Sequence, residues 1–60
     1  MKYKVGDLLM VKHDCLARPW QRKIGLCIEV LKKSEETFDY TLLIGEDRIC
    51  FYEHELEVIE

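Results

Sequence analysis

Short apolar runs, parted by glycine, proline and charged clusters, divide this chain, and no run holds a helical period long enough for a good helix. Gly6-Asp7 is a turn signal, and Leu8 to His13 follows as a strand entered from that turn. Leu9, Val11 and His13 share one pleat face; Leu8, Met10 and Lys12 share the other. His13 to Lys23 contains Pro19, which cannot donate to a sheet ladder, so this stretch reads as a long loop. From Ile24 to Leu31 the alternation is cleanest: Ile24, Leu26, Ile28 and Val30 are interleaved with Gly25, Cys27 and Glu29. A glycine inside such a pattern marks a bulge or a close backbone approach. Residues 32–37 form a charged hairpin connection. Phe38 to Ile44 is a third strand, with Phe38, Tyr40, Leu42 and Ile44 on one side. Gly45-Glu46-Asp47 is a tight turn, Arg48 to Tyr52 a fourth strand, Glu53 to Leu56 one helical turn, and Leu56 to Ile59 a fifth strand. Five short strands, a long first loop and a helical turn before the last strand predict an all-β, five-stranded small barrel. Closure removes exposed sheet edges, a real need at this size.

Composition narrows the picture. Sixty residues allow one domain, 1–60, in which 48% apolar residues are enough for a core and argue against disorder. A chain this short buries only about 60% of the surface it exposes when unfolded. Large clefts and αβ cofactor folds do not fit. No apolar run approaches the ~18 residues that span a bilayer. No apolar stretch follows the charged start, so no signal peptide is expected and the protein is read as cytoplasmic. Three cysteines, Cys15, Cys27 and Cys50, agree, since a disulfide-stapled secreted domain usually carries an even set.

Three segments carry a family likeness: Val5 to Val11, Lys23 to Val30, and Tyr52 to Ile59. Their order resembles that of SH3-like small barrels, among them short barrel proteins encoded by bacteriophages. The middle segment also resembles the glycine-containing strand of KOW modules. More distantly, the layout is similar to the small ferredoxin-docking barrel subunits of photosynthetic complexes. The resemblance spans almost the whole chain and implies a fold, not an activity. The Ala-Leu-Tyr-Asp-Tyr segment of peptide-binding SH3 domains does not occur, so polyproline binding is not implied.

Charge is uneven. Residues 1–33 hold eight Lys/Arg against three acids; residues 34–60 hold one against nine. In an antiparallel fold such a separation is met by strands that attract each other. A local excess remains around Trp20, where Lys12, Arg18, Arg22 and Lys23 stand against Asp14. The acidic end (Glu53, Glu55, Glu57, Glu60) reads as a solvated face with too few carboxylates to imitate a phosphate track.

Candidate chemistry follows from these positions. His13-x-Cys15 and Cys50-x-x-x-His54 offer soft ligands, but neither matches a zinc knuckle spacing, so no metal or other cofactor is expected. Cys15 lies near His13, Arg18 and Arg22, which would favour its thiolate. No third residue orients it, and the chain is not read as an enzyme. Arg18, Trp20, Gln21, Arg22 and Lys23 interleave cations with an indole. Arg and Trp are the side chains most enriched at interface hot spots. The same set also suits phosphate contacts with base stacking, although an acidic chain of pI ≈ 5.3 is unusual for a nucleic-acid module. In a bland reading, Trp20 only caps the barrel end. Leu8, Met10 and Leu43, placed on an outer face, form a patch that favours self-association or a partner.

The expectation is therefore a non-enzymatic protein-interaction module that binds its partner through the 13–23 loop, flanked by the 32–37 hairpin. The alternatives are a KOW-like nucleic-acid-binding barrel, or a structural subunit of a virion or redox complex. A protein partner is favoured over nucleic acid, no membrane is involved, and a homo-oligomer is compatible.

Overall fold

The computed structural model describes residues 2–31 and 38–59. The predicted 32–37 hairpin lies outside the described residues. Five antiparallel strands form one sheet: β1 (Leu8–Val11), β2 (Ile24–Val30), β3 (Tyr40–Ile44), β4 (Asp47–Phe51) and β5 (Leu56–Val58). Their spatial order is β4-β3-β2-β1-β5. Single 3₁₀ turns occupy Arg18–Trp20 and Glu53–Glu55. The sheet wraps round its core into a body of 25 × 23 × 23 Å.

Except for β4, which is shifted by one residue, the strands are shorter than the alternation predicts. β1 stops at Val11 and leaves His13 exposed, and β3 starts at Tyr40 and leaves Phe38 exposed. The expected barrel closure is corrected as well. The hydrogen-bonded ladder is open, with β4 and β5 as its two edges. Residues Tyr52 to Glu55 turn the chain away from β4, so β5 pairs with β1 instead, matching Leu9 to Val58 and Val11 to Leu56. First and last strands thus lie side by side.

Two glycines set the corners. Gly45 (φ 63°) and Glu46 are the two residues between the Ile44–Asp47 pair, and only Gly45 has positive φ, as a type II′ hairpin turn requires. Gly25 serves a different purpose. A Cβ there would stand 2.7 Å from Ile44 Cγ1 and 3.1 Å from the Leu43 carbonyl oxygen. Of the two roles expected for this glycine, it fills the close approach; the bulge lies elsewhere. The ladder shifts between Cys27 and Glu29, leaving Ile28 as the extra residue.

That shift inverts the reading of β2. Before the bulge, Gly25 and Cys27 face the core, while the larger Ile24 and Leu26 face outward. After it, Val30 packs against the core. The core itself is Tyr3, Leu9, Val11, Cys15, Cys27, Tyr40, Leu42, Ile44, Phe51 and Leu56, with Ala17, Trp20, Val30 and Ile49 packed against it. The missing side chain at Gly25 makes room for Ile44 and Leu42, and Tyr40 and Phe51 are fully buried in the same core.

Tyr3 comes from a segment with no strand signal. It is held by a tilted ring contact with Tyr40 at 5.5 Å and by its hydroxyl, which donates to the Leu56 carbonyl at 3.2 Å.

Gly25→Ala is expected to lower stability by about 1–3 kcal/mol, the usual range for overpacking a dense site. Urea denaturation of the variant against the parent chain measures it. An unchanged midpoint would show that β2 and β3 can separate freely.

Candidate functional site

The 12–23 excursion is pinned rather than loose. Lys12 N–H donates to the Glu55 carbonyl at 2.8 Å, and Cys15 N–H to the Lys12 carbonyl at 3.1 Å. Its far end returns to β1, with Arg22 N–H donating to Val11 at 2.8 Å and Val11 N–H to Lys23 at 2.9 Å. Arg22 itself sits at φ 64°, a left-handed position that non-glycine residues seldom take.

The five residues expected to bind a partner are divided by this geometry. Trp20 is half-buried and packs against the core, which favours the capping role for the indole. Gln21 turns its side chain inward, and its Nε2 donates to the Cys15 carbonyl at 2.7 Å. Arg18, Arg22 and Lys23 remain exposed. Trp20 and its flanking arginines therefore do not form one outward-facing hot spot.

Another part of the same loop does face outward. Leu16 is 94% exposed, the most open of the large apolar side chains described. With Asp14, Cys15, Tyr52, His54 and Glu55 it lines a groove of about 200 Å³. The far wall of this groove is aromatic. Tyr52 and His54 stack at 5.6 Å with only 8° between their planes, and Phe38 lies against Tyr52 at 4.6 Å. No periodicity announces this wall, because Phe38 and Tyr52 flank strands and His54 lies in a turn. The weak sequence signal was the spacing of Tyr52 and His54 around a single helical turn.

Glu55 fixes the floor. One carboxylate oxygen accepts the Tyr52 N–H at 2.9 Å and the other accepts the Cys15 thiol at 3.1 Å. The turn and the loop are joined through that side chain. Burial pushes the Cys15 thiol above its ordinary pKa, and the Glu55 carboxylate adds to the shift. This overturns the expectation of a thiolate favoured by nearby cations: Cys15 is buried, protonated and committed to Glu55. Cys27 is likewise raised, chiefly by burial. Among the described residues, no cluster of three or more His, Cys, Asp or Glu is placed to hold a metal ion. No described helix is long and apolar enough to cross a membrane.

A second, larger recess of about 390 Å³ opens at the β1–β5 edge between Asp7, Leu8, Leu9, Val58 and Ile59. A third exposed surface is the outer side of the sheet. Residues paired across strands share a face, so Leu8, Leu26 and Leu43 form one row there and Met10 and Ile24 another. Comparison with protein-family models, with curated proteins and with solved structures finds no match.

Two measurements follow. Cys50, half-buried on β4, is expected to react first with a thiol reagent at pH 7.5, while Cys15 and Cys27 react only on unfolding. The second concerns pH. Burial also raises the pKa of Tyr40, against the opposing N–H of Tyr3 and with the help of Glu53. The Cys15, Cys27 and Tyr40 values all lie above those of the unfolded chain, so the fold favours the protonated forms. Their contribution is complete below about pH 8.5, where an unfolded thiol begins to ionise, and is lost as pH rises through the folded values. Urea midpoints should therefore hold from pH 6 to 8 and fall towards pH 10.5, with Cys15→Ser softening the first part of the decline.

Proposed function

We propose that this chain is a small, non-enzymatic SH3-like interaction module whose protein partner docks in the groove between the loop and the Glu53–Glu55 turn. The observation that carries the reading is Leu16. An apolar side chain held almost fully in water, on a loop tied down at both ends, is a built feature rather than a frayed one. It faces an aromatic wall of the kind that anchors protein contacts. The SH3-like assignment is supported by the strand order, in which β5 joins β1 and β2 to β4 form a meander. The long β1–β2 loop and the single turn before β5 support it too.

The 13–23 loop stays at the centre of this reading, with its roles redistributed. Asp14 to Leu16 form the contact, Trp20 and Gln21 hold the loop from within, and the exposed Arg18, Arg22 and Lys23 stand to one side. Nucleic-acid binding has less support, because the indole that base stacking needs is packed against the core. The virion and redox-subunit alternatives have no specific observation in their favour.

A photo-crosslinker placed at position 16 tests the proposal in the source cell. One discrete protein adduct is expected there, and none from the same group at position 46 in the β3–β4 turn. Loss of the adduct in Tyr52→Ala, with the fold retained by circular dichroism, would tie it to the aromatic wall. Equal labelling from both positions, or adducts with nucleic acid alone, would reject the module reading.

A further inference from the structure

The outer side of an antiparallel sheet that faces water normally carries polar side chains. Here the outer positions at one end of three adjacent strands are apolar, and the polar pair Glu29–Thr41 bounds them on β2 and β3. Leu8 is 57% exposed, Ile24 53% and Leu26 38%, with Met10 and Leu43 half-buried beside them. Cross-strand pairing makes them contiguous, as Leu8 opposes Leu26, Leu26 opposes Leu43, and Met10 opposes Ile24. A sheet that is apolar on both faces is built to be covered on both. Tyr3, Tyr40, the loop and both 3₁₀ turns serve the inner face. The 32–37 segment, Lys-Lys-Ser-Glu-Glu-Thr, has nothing apolar to lay over the outer one.

The ends of the two rows say what does. The row Leu8–Leu26–Leu43 runs on to Arg48, which opposes Leu43 on β4 and is exposed. The row Ile24–Met10 runs on in the other direction to Glu57, which opposes Met10 on β5. The patch thus has a base at one sheet edge and an acid at the other, with β2 midway. A two-fold axis along β2, between two such faces, exchanges the edges. It sets Arg48 of each copy against the Glu57 edge of the other and apolar side chains against their own kind.

We propose that the outer face of β1, β2 and β3 is a symmetric dimer interface, and that its occupant is a second copy of this chain. Self-complementarity of this sort is what an isologous interface demands, and a heterologous partner has no need of opposite charges at the two ends. Five such side chains present on the order of 300 Å² of apolar surface per copy, a size at which patches are often functional. With a polar rim this reaches the scale of a weak, reversible interface, below about 1,200 Å² in total. The dimer leaves the Leu16 groove out of the contact, so each copy keeps its own groove and the pair is bivalent.

Sedimentation equilibrium of the full chain from about 10 μM to 1 mM tests this, with a charge swap as the decisive arm. The apparent mass should rise from 7.2 kDa towards twice that value with concentration. Ile24→Glu should hold the chain monomeric across the range while its circular dichroism stays native. Arg48→Glu and Glu57→Arg should each weaken dimerisation about 3- to 10-fold, and the double variant should recover most of the loss. A chain that stays monomeric at 1 mM overturns the proposal and leaves the face to a different protein. A dimer indifferent to Ile24→Glu overturns it in favour of another surface, such as the β5 edge. A double variant no better than either single one overturns the two-fold arrangement.

Discussion

The fold depends on how the buried hydroxyl of Tyr40 is satisfied. This side chain is fully enclosed at the head of β3, and an unpaired hydroxyl there would cost a few kcal/mol, about 1–3 by mutational measure. It accepts the Tyr3 N–H at 3.0 Å and donates to a Glu53 carboxylate oxygen at 2.9 Å. That same oxygen accepts the Lys2 N–H at 3.1 Å, and the Glu53 N–H reaches Asp39 at 2.8 Å. Three stretches far apart in the chain, at residues 2–3, 39–40 and 53, meet through this network. The N-terminal segment lies down over the core because of it, and the Glu53–Glu55 turn takes its position. Glu55 is then correctly placed to receive Cys15 and Tyr52. The groove is therefore a remote product of a core contact rather than an addition to the surface.

Order of elements, turn positions and the inward faces of β1 and β3 were legible because alternation there reports a single buried side. Leu9, Val11, Tyr40, Leu42 and Ile44 all lie where period two puts them. β2 was legible as a strand but not in its orientation. Ahead of the bulge its large residues point outward, and the deciding fact is non-local: the nearness of Ile44 to Gly25. Barrel closure is not legible at all, since a strand pattern reports the number of strands but not whether the edge strands meet. Tyr3 escaped because two flanking lysines mask it.

The site was less legible for a related reason. A loop has no period, so composition was the only guide, and composition pointed to the cations and indole of Arg18 to Lys23. Composition cannot say which side chains a loop spends on holding itself in place. Trp20 and Gln21 are spent that way, which left Leu16, unremarkable by type, as the exposed one. Cys15 shows the same limit in electrostatics. Its sequence neighbours are cationic, yet its nearest polar partner in space is Glu55, forty positions away.

The extra residue at Ile28 has a consequence for how this chain can change. Ahead of it, β2 shows its bulky side chains to the outside; beyond it, to the inside. In an unbroken ladder that kept Ile28 in register, period two would instead turn Glu29 inward and Val30 outward, exchanging oil for water beyond that point. The strand thus carries one residue more than its ladder needs, and it should tolerate the loss of Ile28 better than the gain of a side chain at Gly25.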